Sequence, residues 1–153
     1  MNKTNSDWKF LLIASLICSS SFAQPRSFIT EAAKVKATVT HVIDGDTVSI
    51  EAPWVPAPMK PTIAIRVYGV DTPEKSFRAQ CEKEAELGLK ATEYTNDLVS
   101  KAKRVQVVYH SWDKYGGRVL GDLFLDGKSL RNSLIINGYA REYYGDAKKS
   151  WCE

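Results

Sequence analysis

Ile65-Arg66-Val67-Tyr68-Gly69-Val70-Asp71-Thr72-Pro73-Glu74 reads as a strand that runs into an acidic turn. From Thr62 onward Ile63, Ile65 and Val67 share one face and Arg66 takes the other, the period-two pattern of a half-buried strand. The strand is expected over Thr62 to Val70. Pro73 fixes its own φ and turns Thr72 away from helical geometry, so Asp71 to Glu74 must be a turn.

Upstream, Lys36 to Ile43 and Thr47 to Ile50 alternate in the same way around Asp44-Gly45-Asp46, which predicts a hairpin with a tight acidic turn. Glu51 to Pro61 carries Pro53, Pro56, Pro58 and Pro61 and is expected to be an irregular loop. Downstream, Ala79 to Ser100 is rich in Glu, Lys, Ala and Leu, with Ala85, Leu89, Thr92, Leu98 and Val99 on the face expected to be buried. Arg104 to His110 and Val119 to Leu125 predict two further strands. Ser129 predicts the cap of a short helix through Ile136, closed by Asn137-Gly138. Five strands, a helix between the third and fourth and a helix after the fifth define an α+β, mainly β chain. That order is the one of a five-stranded OB-type Greek-key barrel with two or three helices.

The acidic turns carry the chemistry. Asp44 and Asp46 in the first and Asp71 and Glu74 in the second are brought together if the turns converge at one end of a barrel. Two carboxylates, Asp46 and Asp71, with a backbone carbonyl such as that of Thr72, make a hard oxygen set that suits Ca²⁺ better than Zn²⁺. Alone, Asp-Gly-Asp is an ordinary turn sequence. Arg66 and Arg118 add cations of the kind that grip phosphate oxygens in pairs, although either alone could be a surface residue.

The chain has 153 residues, room for one domain, with 44% apolar content and a formal net charge of +3. So small an excess of positive charge selects no partner class. Lys3 and Lys9 precede an apolar run from Phe10 to Ile17 and the small-residue site Ser21-Phe22-Ala23, which reads as a signal peptide over 1–23. A linker over 24–35 and a domain over 36–153 follow. The apolar run is far short of the ~20 residues of a membrane span, so an exported protein, periplasmic or secreted and free of the membrane after cleavage, is expected. Lipidation would fall on Cys18, but Ile17 fills a position that wants a small residue. Loss of Cys18 with the leader leaves Cys81 and Cys152, which predicts one disulfide, two unpaired thiols being the alternative.

Four ordered blocks then carry a resemblance: Val42 to Val48, Ile65 to Glu74, Asp113-Lys114-Tyr115-Gly116-Gly117-Arg118, and Leu134-Ile135-Ile136-Asn137-Gly138-Tyr139-Ala140. They resemble the signature blocks of the staphylococcal nuclease family, over about residues 36 to 144. The resemblance implies an OB barrel and Ca²⁺-dependent hydrolysis of DNA and RNA at the bond between phosphorus and the 5′ oxygen, leaving 3′-phosphates. It assigns Asp46 and Asp71 as calcium carboxylates, Thr72 as carbonyl ligand, Arg66 and Arg118 as phosphate clamps and Glu74 as general base. Asp44 falls behind the metal ligands, and Lys114, Tyr115 and Tyr144 flank the nucleotide.

Three features depart from the family pattern: the Gly116-Gly117 pair, which shifts Arg118 along its turn, the proline-rich insertion, and Cys81 in the segment Lys75 to Glu84. His41 and His110 are expected to be packed or surface residues, Trp112 and Trp151 packing residues, and Lys101, Lys103 and Arg104 a solvated helix end. A monomer is the default. A catalytically silent OB module that binds nucleic acid is the rival reading, and a calcium-binding structural domain, which leaves both arginines unexplained, the third.

Overall fold

A computed structural model describes residues 33–114 and 116–153. The expected leader at 1–23 with Cys18, the linker up to residue 32, and Tyr115 lie outside the described residues.

The acidic hairpin forms as its alternation predicts. Strand β2 (Val39–Asp44) pairs antiparallel with β3 (Thr47–Glu51) in the register Val42↔Val48 and Asp44↔Thr47. β3 in turn pairs antiparallel with β4 (Thr62–Val67), Val48 facing Ile65. The prolines between them stay out of both ladders, and the loop is closed by Ala52 N donating to Pro61 O at 2.8 Å.

The strand expected over Thr62 to Val70 is broken. Gly69 has φ +75°, a left-handed conformation open to glycine at little cost, and β5 (Val70–Asp71) leaves the main sheet to pair with β9 (Arg141–Glu142). The break delivers Asp71 into a different wall from Arg66.

After a single 3₁₀ turn at Ser76–Arg78 comes helix α1 (Glu82–Lys101), then β6 (Val105–Trp112) and β7 (Arg118–Leu125), an antiparallel pair with a bulge between Tyr109 and Ser111. β7 also pairs parallel with β4, Ile65 beside Val119. Short β8 (Lys128–Ser129) leads into α2 (Leu130–Ile136), where Ser129 Oγ accepts from Asn132 N at 3.3 Å, the expected cap.

Among the described residues the main sheet runs β1-β6-β7-β4-β3-β2, with β8 added to β7, where β1 is Val35–Lys36. No ladder joins β2 to β1, so hydrogen bonding alone does not draw the closed five-stranded barrel that the element order led us to expect. β1 and β2 are consecutive, and the residues between them extend the existing pairings: Ala37 N donates to Val105 O of β6 at 3.1 Å and Thr38 O accepts from Glu51 N of β3 at 2.9 Å. Val48, Ile65, Val107, Leu123, Leu130 and Leu134 are fully buried between the sheet and α2. Among the described residues the fold is therefore mostly β with two α-helices.

Helix α1 buries a face that its hydrophobic spacing marks only in part, since Leu98 and Val99 do pack against the core. Glu84, Gly88, Ala91 and Thr95 are buried, whereas Leu89 is exposed. The reason is close approach: this face packs against the acidic loops, where small and hydrogen-bonding residues fit and leucine does not. Cys81 caps the helix and is bonded to Cys152, as the count of cysteines led us to expect, with 71 residues of separation. A loop of that length corresponds to about 4 kcal/mol of stabilisation in the chain-entropy model. Among the described residues no helix is long and apolar enough to cross a membrane.

Candidate functional site

Both acidic turns converge on Arg66. Its Nη1 donates to Asp46 Oδ1 at 3.1 Å, and its Nη2 lies 2.9 Å from Asp46 Oδ2 and 4.0 Å from Asp71 Oδ1. Thr47 Oγ1 donates a further hydrogen bond to Asp46 Oδ1 at 2.8 Å. Asp46 and Asp71 are almost completely buried. Asp44 Oδ1, Asp46 Oδ2 and Asp71 Oδ1 are buried without an aligned hydrogen bond, although guanidinium or ammonium nitrogens face the latter two. Buried anionic oxygens left in this state are costly unless a cation compensates them.

The turns are held there by α1. Gly45 lies so close to the helix that a Cβ on it would stand 2.8 Å from Ala91 Cβ and 3.1 Å from Thr72 Cγ2. Thr95 Oγ1 donates to Gly45 O at 2.7 Å, and Thr72 is buried in the same contact. One turn of the helix further, Gly88 lets the Pro73-Glu74 backbone rest on the helix. Buried Glu84 accepts from Glu74 N at 3.3 Å and Gln80 N at 2.7 Å, pinning both ends of the segment that presents Glu74. Gly45, Gly88 and Glu84 are thus positioning groups that sequence reading passed over.

The C-terminal tail supplies a third wall. Trp151 Nε1 donates to Asp71 Oδ2 at 3.1 Å, and Lys148 Nζ lies 2.6 Å from Asp71 Oδ1 and 3.8 Å from Glu74 Oε1. Burial tends to lower the Lys148 pKa, but hydrogen bonding to Asp71 and the charges of Asp71 and Glu74 outweigh it, so the ammonium is held above its ordinary value. Trp151 was expected only to pack, and Lys148 drew no notice in the sequence.

A cleft of about 530 Å³ adjoins these groups, lined by Asp44, Arg66, Glu74, Lys114, Arg118 and Lys148 together with the aromatic residues Tyr68, Trp112, Tyr143 and Tyr144. Arg118 donates from Nε to Asp113 Oδ2, an ion pair across its own hairpin turn, and Asp113 N donates to Arg118 O at 3.0 Å. Gly116 and Gly117, with φ of +72° and +73°, make that turn possible. Tyr144 stands edge-on to Tyr68 at 5.7 Å and accepts a hydrogen bond from Arg131. Trp112 is 65% exposed at the end of β6, which corrects the expectation of a packed indole.

The structure therefore brings Asp44, Asp46, Arg66, Asp71, Thr72 and Glu74 together, with Lys114, Arg118 and Tyr144 along the adjoining cleft. Among the described residues no three His, Cys, Asp or Glu side chains are gathered as a metal cluster. The buried oxygens of Asp46 and Asp71, now compensated by Arg66 and Lys148, and Asp44 behind them nonetheless fit a hard cation whose remaining ligands are carbonyl and water.

Burial pushes the Asp46 carboxyl up from 3.8 to about 7, against the pull of Arg66 and the Thr47 hydrogen bond and with the help of Asp44. A carboxyl whose folded pKa is raised contributes stability that is complete below its unfolded value and is lost as pH rises through the folded one. In chelator, the thermal midpoint is expected to fall as pH rises from about 4 to about 7. Asp46→Asn should flatten that fall; an unaltered slope in the variant assigns the loss to other groups.

The family model for staphylococcal nuclease homologues matches residues 64–151, more than half of the chain, and the chain belongs to that family. Among curated proteins it is 33% identical to Endonuclease YncB of Bacillus subtilis over 113 residues, covering 72% of this chain and 49% of that protein. It is also 32% identical over 120 residues to the uncharacterized lipoprotein MG186 of Mycoplasma genitalium, covering 72% of this chain and 46% of that one. The chain spans about half the length of these curated relatives.

Proposed function

We propose that this chain is an exported, Ca²⁺-dependent endonuclease that hydrolyses phosphodiester bonds of DNA and RNA and leaves 3′-phosphates. The observation that carries the reading is the set of buried carboxylate oxygens on Asp44, Asp46 and Asp71, beside Arg66 and at the head of a cleft that also holds Arg118. Family membership and the name of the Bacillus relative support the same reaction class.

In this reading Asp46 and Asp71 hold Ca²⁺ with the Thr72 carbonyl, and Asp44 lies behind them. Bound calcium supplies charge that neutralises a phosphate oxygen and helps orient water. Arg66 and Arg118 bind the remaining equatorial oxygens, which gain negative charge as water attacks phosphorus and the bond to the 5′ oxygen breaks. Glu74, with Lys148 beside it, accepts the proton of the attacking water, and the 5′ oxygen leaves as a hydroxyl after taking a proton from solvent. Lys114, Tyr115 and Tyr144 flank the nucleotide, and exposed Trp112 adds a face on which a base can stack.

Export draws support from the leader-like segment at 1–23, from the Cys81–Cys152 disulfide, and from the description of the Mycoplasma relative as a lipoprotein. A monomeric OB-barrel enzyme, free of the membrane once the leader is removed, is the form proposed. Digestion of a 5′-labelled oligonucleotide tests the bond that is cut. Fragments whose mobility shifts on phosphatase treatment of their 3′ ends are expected, and fragments ending in 3′-hydroxyls would overturn the assignment.

A further inference from the structure

The tail that closes the site is fastened independently of Asp71. Cys152 is bonded to Cys81 at the start of α1, Arg141 Nη1 donates to Ser150 O at 2.9 Å, and the Arg141 guanidinium lies 3.7 Å from the centre of the Trp151 ring. The indole therefore reaches Asp71 from a fixed base. Its N–H occupies Oδ2 alone and leaves Oδ1 turned toward Arg66 and Lys148. Each oxygen of Asp71 thus has its own kind of partner: a neutral, anchored donor on one, and positive charge on the other.

We propose that the C-terminal tail sets the cation affinity of the site through two opposed contacts on Asp71, Trp151 acting as a positioning residue and Lys148 as an internal competitor for Oδ1. The inference rests on the reading of Asp46 and Asp71 as calcium ligands. A neighbouring donor that fixes a ligand's orientation changes metal affinity by about tenfold to a hundredfold when removed. Lys148 differs because its ammonium ends a flexible stem, is 45% exposed, and stands where a cation would meet Oδ1. It has to swing aside before that oxygen is free, and solvent lies within its reach.

Calorimetric titration of Ca²⁺ into the oxidised protein separates the two contacts, with thiol assay and circular dichroism confirming that each variant keeps its disulfide and fold. Trp151→Phe keeps a ring over Arg141 but deletes the donor, and is expected to weaken Ca²⁺ binding at least about tenfold. Lys148→Met keeps the stem but deletes the charge, and is expected to tighten binding by about threefold to fivefold, the scale of a partly exposed ion pair. Opposite signs support the proposal. Weakening in both variants would make the tail a structural brace and overturn it, as would unchanged binding in either. If the unaltered protein binds no Ca²⁺, the calcium reading fails with the inference, whereas normal binding with indifferent variants overturns the inference alone.

Discussion

Arg66→Lys is expected to lower kcat for DNA cleavage by about a hundredfold to a thousandfold at saturating Ca²⁺, with the fold retained. Two guanidinium nitrogens hold the two oxygens of Asp46, and one of them also approaches Asp71. A lysine ammonium preserves the charge that compensates these carboxylates but cannot reproduce the planar fork. Stability should therefore change little while the group that meets charge developing on phosphorus loses its geometry. Steady-state kinetics with near-unchanged circular dichroism is the check. A loss confined to KM would reassign Arg66 to substrate docking, and unaltered kinetics would remove it from the site.

Gly88→Ala is expected to lower both stability and activity, although alanine is the better helix former by about 1 kcal/mol. A Cβ at this position would lie 2.4 Å from Glu74 O, 2.6 Å from Glu74 C and 2.8 Å from Pro73 O, all of them backbone atoms with no rotamer to yield. The helix and the loop must separate, a cost on the order of 1–3 kcal/mol for an overpacked contact. Displacement of Glu74 by about 1 Å would further cost on the order of a hundredfold in rate. Urea denaturation alongside kcat measures both. A stabilised variant with full activity would show that helix and loop are not in this contact.

The parts of the molecule that were legible in the sequence are those governed by local chemistry. Alternation placed β2, β3 and β4, Ser129 marked the cap of α2, and the two acidic turns stood out in the company of Arg66 and Arg118. In α1 the pattern held where Leu98 and Val99 meet the core, but it failed along the rest of the buried face because a hydrophobic pattern assumes an apolar neighbour. Here the neighbour is a pair of polar loops, and the buried positions became Glu84, Gly88, Ala91 and Thr95. Period-two alternation also could not show that Gly69 breaks the third strand, since only φ distinguishes a turn from a continuing strand there.

Part of the candidate site was hidden for a different reason. Trp151 meets Asp71 across a separation of 80 residues, and Lys148 meets it from the same tail. No local signal announces such a contact, and the cysteine count was the sole hint that the tail returns to the start of α1. Trp112 is exposed because β6 outlasts the core beneath it.

Cleavage of plasmid DNA and of RNA, followed in Ca²⁺ and in chelator for the protein and for Asp46→Ala, tests the central claim most directly. Cutting of both substrates that requires Ca²⁺ and disappears with Asp46→Ala is the predicted result. Intact substrate in Ca²⁺ despite measurable nucleic-acid binding would contradict it and leave a binding module with a silent site.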